Sequence, residues 1–90
     1  MREVKIEDYL VDQAAKLGGV AEKWGVNGRP DRIVFLPGGR VGLLELKRPG
    51  EKPKRLQAFY LMLFQALGVK TGYADTFAKV DAFLQELAHA

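Results

Sequence analysis

The sequence predicts a small α/β domain with the element order α-β-β-β-α-β-α. Segments near both chain ends carry apolar residues at helical spacing, and two central segments show the pattern of strands joined at Pro37-Gly38-Gly39. At 90 residues the chain is expected to form one domain, 1–90. A domain this short buries only about 60–65% of the surface that its unfolded form exposes, so self-association would add stability.

The first elements are predicted from periodicity and turn residues. Residues 3–17 form an amphipathic helix that ends at Gly18-Gly19, and 20–24 fit a short strand. The segment 25–30, with two Gly, an Asn and a Pro, is a loop. The inward positions of the first helix share the 3.6-residue spacing and are Ile6, Tyr9, Leu10, Gln13, Ala14 and Leu17.

Two strands, 32–36 and 40–48, are expected to form a hairpin. The second strand carries apolar residues on both faces, which is typical of a central strand covered on both sides. Side chains alternate along a strand, so Glu45 and Lys47 share a face that is apolar at its start and charged at its end.

The second half of the chain supplies a helix, a strand and a helix. Residues 55–67 form a helix closed by Gly68, and 69–74 form the last strand. Thr76 is predicted to cap a final helix that runs to about residue 87. Its inward apolar positions are Phe77, Val80, Phe83, Leu84 and Leu87.

The second helix is apolar nearly all round. One stripe is predicted to face the sheet and comprises Leu56, Phe59, Tyr60, Leu63 and Leu67. The apolar residues off that stripe are Ala58, Leu61, Met62 and Phe64. A helix with two apolar faces needs a cover besides its own sheet, so a homodimer interface is expected at this second set; scattered exposed apolar residues are the alternative.

Composition excludes several chemistries. The chain has no Cys and a single His, His89, so disulfides, thiolate metal sites, Cys nucleophiles and His-based zinc sites are not expected. Any catalysis must use carboxylates, Lys, Arg and hydroxyls. No apolar run is long enough to span a bilayer and the N-terminus lacks a signal-peptide pattern, so a soluble, cytoplasmic, non-secreted protein is expected.

A basic segment points to a polyanionic partner. The net charge is only +3, but residues 47–55 read "KRPGEKPKR", with five basic residues against one Glu. Such a segment favours nucleic acid, although a solvated loop with ordinary surface lysines would look the same.

The hairpin loop decides whether Asp31 meets Glu45. A two-residue loop, Gly38-Gly39, would place Asp31 opposite Leu46, on the wrong face. A three-residue loop that includes Pro37 places it opposite Glu45, and a Gly in the left-handed region makes such loops common. A functional site here therefore requires the three-residue loop or a nearby bulge.

Two opposed carboxylates and a main-chain carbonyl form a hard-oxygen site that suits Mg²⁺ or Mn²⁺. Such an ion lowers the pKa of a bound water and binds a phosphate oxygen, and Lys47 can orient that water or offset developing charge. The pattern fits phosphodiester hydrolysis. From the residues alone, the alternative is a salt-bridged triad that closes the end of the sheet, with Lys47 neutralising Glu45.

The stretch "GRPDRIVFLPGGRVGLLELKRPG", followed by "LQ", resembles the virus-type replication-repair nuclease (VRR-NUC) domain of the PD-(D/E)XK phosphodiesterase superfamily. The resemblance extends over nearly the whole chain, from "MREVKIEDYLVDQAAKLGG" to "LQAFYLMLFQALG". It implies a central mixed sheet of about four strands flanked by helices. It also implies a metal-dependent endonuclease of DNA repair or recombination, with a bacterial or phage origin.

Carried over to this chain, the resemblance makes Asp31 and Glu45 metal ligands, helped by the carbonyl of Leu46, and makes Lys47 the catalytic lysine. It implies a further acidic residue on the first helix that reaches the metal, usually through water; Glu3 and Glu7 both match, and Glu3 is favoured as this metal residue. The matching glutamine is Gln57, expected to contact the site or the scissile phosphate. All six side chains are candidate catalytic residues.

The remaining basic residues near the site are predicted to contact DNA phosphates without reading sequence. They are Arg29, Arg48, Lys52, Lys54 and Arg55. A symmetric dimer with two sites suits a four-way junction, and stand-alone members of the family look like Holliday-junction resolvases. Alternatives are a structure-selective or nicking endonuclease without junction preference, a non-catalytic nucleic-acid-binding module that requires a partner, and a structural assembly protein.

Overall fold

The computed structural model describes residues 2–90, in the predicted element order. The helices and strands are α1 (Glu3–Lys16), β1 (Val20–Lys23), β2 (Arg32–Leu36), β3 (Arg40–Leu46), α2 (Arg55–Ala66), β4 (Lys70–Ala74) and α3 (Phe77–Ala88). The predicted α/β class is therefore confirmed. β2 has the predicted bounds, and α3 ends one residue later than predicted. The other five elements end one or two residues earlier or begin one residue later than predicted.

The four strands form one mixed sheet in the order β1-β2-β3-β4. β1, β2 and β3 pair antiparallel, whereas β4 runs parallel to β3. A parallel neighbour requires a crossover connection, and α2 supplies it. β3 is consequently an inner strand with five consecutive buried positions, 42–46, as its two apolar faces predicted.

The hairpin between β2 and β3 has the predicted three-residue loop. Leu36 pairs with Arg40, which leaves Pro37, Gly38 and Gly39 in the loop. Both glycines have positive φ, at 88° and 73°, which a side chain would strain. The pairing of Arg32 with Leu44 fixes the register at the far end of the hairpin.

The main core lies between one face of the sheet and helices α1 and α3. Its centre is formed by Ile6 and Leu10 of α1, Leu44 of β3, and Val80 and Leu84 of α3, all at most 2% exposed. Tyr9 joins the two helices, because its ring stacks on Phe77 with centroids 4.2 Å apart and its hydroxyl donates to Asp81 at 2.8 Å. Phe77 itself is 36% exposed, so it covers the core edge rather than entering it.

Helix α2 lies on the opposite face of the sheet, and its orientation corrects the sequence prediction. The hydroxyl of Thr71 in β4 donates to the carbonyl of Leu61 at 3.2 Å, and the ring of Phe64 contacts Trp24, with centroids 5.5 Å apart. Ala58 is also partly covered. Three of the four residues expected at a dimer interface thus pack against the chain itself; Met62 alone is widely exposed, at 70%.

The face that α2 leaves open is the stripe that was predicted to be buried. Of the predicted stripe, only Tyr60 is partly buried. The open face consists of the other four residues and Met62, each between 39% and 70% exposed; they are Leu56, Phe59, Met62, Leu63 and Leu67. None of the residues of α2 is fully buried. The prediction failed because a helix that is apolar all round has no polar side to mark its orientation.

No helix among residues 2–90 is long and apolar enough to cross a membrane.

Candidate active site

The register of the hairpin brings Asp31 and Glu45 together at one end of the sheet. Continuing the β2–β3 pairing by one residue beyond Arg32 and Leu44 sets Asp31 opposite Glu45. The backbone N–H of Leu46 donates to Oδ2 of Asp31 at 2.7 Å, and the Asp31 carbonyl accepts from Trp24 at 3.2 Å. Asp31 is therefore held on both sides, by β1 and by β3.

Glu45 is an unusual buried carboxylate. The residue is 0% exposed, and both Oε1 and Oε2 lack a hydrogen-bond partner within the described residues. Burial, and then the neighbouring Asp31 carboxylate, raise the pKa of Glu45 from 4.5 to about 8, against a smaller opposing effect from Lys47. A carboxylate with two unsatisfied oxygens in this position is suited to bind a cation.

Lys47 lies on the same face, next to Glu45. Its Nζ is 3.7 Å from Oε2 of Glu45, too long for a strong hydrogen bond, and the residue is only 6% exposed. The backbone N–H of Lys47 donates to the carbonyl of Ala74 at 2.9 Å, which extends the β3–β4 ladder by one residue. The ammonium group is buried at the end of the sheet, beside Glu45.

A cavity of about 360 Å³ opens beside these residues. The loop between β1 and β2, residues 25–31, forms most of its wall, and Glu7, Lys23 and Gln57 complete it. Asp31 thus faces the cavity, while Glu45 and Lys47 are buried in the sheet next to it. The loop was expected from its Gly and Pro content, but the cavity was not.

The two acidic candidates on α1 have different positions. Glu7 lines the cavity and is bound by Arg32, whose Nε donates to Oε2 at 2.9 Å. Glu3, which the sequence favoured for this role, is not among the described residues that line the cavity.

Residues 2–90 contain no group of three or more His, Cys, Asp or Glu side chains placed to hold a metal ion. The carboxylate pair Asp31–Glu45 therefore stands without a third acidic ligand.

Gln57 lies on the cavity wall at the start of α2. Its Oε1 accepts a hydrogen bond from the backbone N–H of Lys54 at 2.8 Å, which caps the helix and fixes the amide group. The side chain therefore has both the structural role of a helix cap and a position at the site.

The predicted DNA-binding residues divide into two groups. Arg48, Lys52, Lys54 and Arg55 are exposed along the connection from β3 to α2, and Arg48 pairs with Glu51 at 2.6 Å. Arg29 instead lies on the cavity wall, with its guanidinium 3.7 Å from the centre of the Tyr60 ring.

Asp75 holds the basic connection in place and was not predicted. It follows β4 directly, and its Oδ2 accepts from the backbone N–H of Gly50 at 2.8 Å. The Lys79 ammonium, 2.9 Å from Oδ1, together with that N–H lowers the pKa of Asp75. The signal available in the sequence was an acidic residue at the end of a predicted strand, next to the Thr76 cap.

A mixed sheet with two opposed carboxylates at the end of its hairpin is also found in a known class of proteins. Comparison with solved structures identifies this class. A solved VRR_NUC domain superposes with a TM-score of 0.84 and 28% sequence identity, over 92% of this chain and 94% of that domain. The chain therefore has the VRR_NUC fold, which confirms the family resemblance found in the sequence.

A curated relative is similar in sequence. It is named "Putative nuclease p44", from Acyrthosiphon pisum secondary endosymbiont phage 1, and is 47% identical over 60 residues. The match covers 63% of this chain and 64% of the relative, which is less than two thirds of its length. No family model matches the chain.

Proposed function

We propose that the protein is a divalent-metal-dependent, structure-selective DNA endonuclease that hydrolyses phosphodiester bonds. The observation that carries this proposal is the pair of Asp31, which faces an open cavity, and the buried Glu45, with the buried Lys47 beside it. The VRR_NUC fold and the similarity to a phage protein named as a nuclease support it. A salt-bridged cap is less favoured, because the separation of 3.7 Å leaves both Glu45 oxygens without a hydrogen bond.

The carboxylates of Asp31 and Glu45, together with the Leu46 carbonyl, would hold Mg²⁺ or Mn²⁺. The donor set fits, since these ions prefer oxygen ligands and Glu45 offers two buried oxygens without partners. When bound, such an ion lowers the pKa of a water molecule and withdraws charge from a phosphate oxygen. The raised pKa of Glu45, about 8, indicates that its negative charge is poorly compensated by the protein itself.

The other side chains would act on the substrate. Lys47 brings a buried positive charge next to Glu45, where it can orient the attacking water and offset the charge that develops on the phosphate. Gln57 carries amide N–H donors on the cavity wall, within a helix cap that holds its orientation. Glu7 is the acidic residue of α1 that the cavity geometry favours, and Arg32 keeps it in place.

The exposed basic connection after β3 would follow the DNA backbone. Its side chains are Arg48, Lys52, Lys54 and Arg55. The hydrogen bond from Gly50 to Asp75 ties the middle of this connection to the end of β4, close to the carboxylate pair. Contacts of this kind bind phosphates in any sequence, so selectivity would come from DNA structure.

The active unit would be a homodimer formed through the open apolar face of α2. Its five large side chains expose roughly 600 Å² of surface, as large as the largest apolar patches of typical monomers. Two such faces would bury about 1,200 Å², the lower limit of a stable interface. A symmetric pair of sites suits the two equivalent strands of a four-way junction, so a Holliday-junction-resolving activity is the specific form of the proposal.

Cleavage is tested with synthetic four-way junction, forked, nicked and plain duplex DNA, each with Mg²⁺, Mn²⁺ or EDTA. We expect paired symmetric cuts in the junction that disappear with EDTA and in Lys47→Ala. Lys16→Ala removes an exposed lysine at the end of α1 and is the charge-matched control. Binding without cleavage in every metal would contradict the endonuclease and favour a non-catalytic binding module.

The dimer is tested separately by sedimentation. We expect twice the chain mass of 10.0 kDa for the unmodified protein and a monomer for Met62→Glu. Val11→Glu, at an exposed apolar position on α1, should remain dimeric. A monomeric unmodified protein at cleavage-active concentrations would refute the dimer and leave the endonuclease to the cleavage assay.

A further inference from the structure

The cavity beside Asp31 has the size and lining of a site for one nucleotide. Its volume of about 360 Å³ is at the small end of the range for small-molecule sites. This volume is sufficient for a single base with its sugar. The carboxylate pair alone does not need such a space, since it only has to reach a phosphate.

One wall of the cavity carries a stacking platform. The Arg29 guanidinium lies 3.7 Å from the centre of the Tyr60 ring. Tyr60 in turn stacks on Phe64, and Phe64 contacts Trp24, with ring centres 6.0 and 5.5 Å apart. A guanidinium this close to the centre of an aromatic ring lies over the face of that ring, and unpaired bases stack on guanidinium planes. The row of rings limits the side-chain motion of Arg29, so little entropy remains to be lost on binding.

The lining also contains polar side chains, of which Gln57 and Glu7 are held by hydrogen bonds. Asn27 and Gln57 offer amide groups of the kind that hydrogen-bond base edges, and Lys23 offers an ammonium group for a phosphate. Glu7 would repel a phosphate, but its carboxylate is paired with the Arg32 guanidinium at 2.8 Å. The lining thus combines groups for a base with groups for its backbone.

The loop that carries Arg29 is seated directly on α2. Gly28 has a φ of 78°, and a Cβ built on it would lie 2.5 Å from the side chain of Leu56. Only glycine permits this close approach, which brings Asn27 and Arg29 next to the first turn of α2. The cavity is therefore formed before any ligand arrives.

We infer that this cavity binds the base of one unpaired nucleotide next to the scissile phosphate, stacked on Arg29. The inference rests on the proposed endonuclease function and specifies its substrate: DNA in which a nucleotide beside the cut is free to leave the stack. Bases within an intact duplex are paired and stacked, and extracting one costs a few kcal/mol. Structure selectivity then follows from the cavity, without reading the sequence.

The first test measures binding without cleavage. Trp24 is the single tryptophan of the chain and lies between the cavity residues Lys23 and Gly25, so its fluorescence reports on the cavity. In EDTA, deoxynucleoside 5′-monophosphates should change this fluorescence at concentrations at which inorganic phosphate and deoxyribose 5-phosphate do not. Arg29→Ala should weaken nucleotide binding at least tenfold, while Lys16→Ala should bind as the unmodified protein does.

The second test places the base relative to the cut. A single abasic nucleotide is introduced at each position flanking the cleaved bond of the preferred substrate. At one of these positions the abasic nucleotide should raise the KM of the unmodified protein at least tenfold. At the same position it should raise the KM of Arg29→Ala only slightly, because that variant has already lost the stacking contact. An abasic site one helical turn away is the control.

The outcomes separate the two proposals. Cleavage that is indifferent to every flanking abasic site, or nucleotide binding that survives in Arg29→Ala, would refute the base-binding cavity and leave the endonuclease intact. Absence of cleavage on all substrates would refute the endonuclease, and the fluorescence titration would then still decide whether the cavity binds a nucleotide. Equal changes in Trp24 fluorescence with inorganic phosphate and with nucleotide would also refute the base-binding cavity.

Discussion

The backbone N–H of Leu46 donates to Oδ2 of Asp31 at 2.7 Å, so one carboxylate both joins β2 to β3 and faces the cavity. Asp31→Ala should remove the acceptor and leave a buried N–H unsatisfied, which costs about 1–3 kcal/mol of unfolding free energy. Asp31→Asn keeps an acceptor and should lose less. Both variants should lack cleavage. Urea unfolding and the cleavage assay check this; equal stability losses would contradict the structural role.

Stability should depend on pH through Glu45. The pKa of this group rises from 4.5 to about 8 on folding, so between these values the folded chain holds a proton that the unfolded chain has released. The contribution of Glu45 to the free energy of unfolding is therefore fully present below about pH 4.5 and is lost as the pH rises through 8. Glu45→Gln cannot ionise and should be more stable than the unmodified protein at pH 9, by on the order of 1–3 kcal/mol.

Urea unfolding in EDTA at pH 5 and pH 9, followed by Trp24 fluorescence, measures this difference. Glu22→Gln, at an exposed position in β1, is the control and should show the pH dependence of the unmodified protein. A Glu45→Gln stability gain that is the same at both pH values would contradict the titration of Glu45.

The two acidic residues of α1 should differ in function. Glu7 lines the cavity and Glu3 does not, so Glu7→Gln should reduce kcat at least tenfold, whereas Glu3→Gln should stay within twofold. Steady-state kinetics on the preferred substrate decide between them. The reverse order would support the residue that the sequence favoured and would require α1 to approach the site more closely when DNA binds.

Two glycines of the sheet offer a matched test of packing. A Cβ on Gly42 would lie 2.7 Å from Phe83, 3.1 Å from Leu87 and 3.3 Å from the Lys70 carbonyl, whereas on Gly72 the nearest atom, in Phe83, is 3.5 Å away. Gly42→Ala should therefore lose about 1–3 kcal/mol of unfolding free energy, despite the better strand propensity of Ala, and Gly72→Ala should be tolerated. Thermal unfolding of both variants compares them directly.

The contact between Gly50 and Asp75 should control the order of the basic connection. Asp75→Ala removes the acceptor of the Gly50 N–H, so exchange of that amide with solvent should accelerate strongly. DNA binding should weaken with a smaller salt dependence, since fewer phosphates are contacted at once. Asp75→Asn retains an acceptor and should keep most of the amide protection. Unchanged exchange in Asp75→Ala would mean that the connection is held by other contacts.

The three-residue length of the hairpin loop was expected because a site at Asp31 and Glu45 required it, and the pairing of Leu36 with Arg40 shows that length. Local rules in the sequence predicted the fold and the position of the turn. The Pro37-Gly38-Gly39 loop needs two residues with positive φ, and glycine supplies them. The alternation of side chains then determined that Glu45 and Lys47 share a face. Both steps depend on neighbouring residues, which is why they were predictable.

Contacts between distant segments were not predictable. The ion pair between Arg32 and Glu7 and the bond between Gly50 and Asp75 each join residues 25 positions apart. Neither follows a periodicity. The orientation of α2 failed for another reason: its apolar residues surround the helix, and only the contacts of Leu61 with β4 and Phe64 with Trp24 determine which side is covered.

The three-residue hairpin loop makes the site sensitive to chain length more than to residue identity. Substitutions at Pro37 leave the register unchanged, but when the three-residue loop geometry is kept, inserting or deleting one residue moves every later side chain of β3 to the other face of the sheet. Glu45 would then enter the apolar core against α1, and Asp31 would lie opposite Leu46 after a deletion or opposite Leu44 after an insertion. Chains that retain this site should therefore vary in loop composition yet keep its length, and an insertion here would abolish the site while leaving the hairpin itself intact.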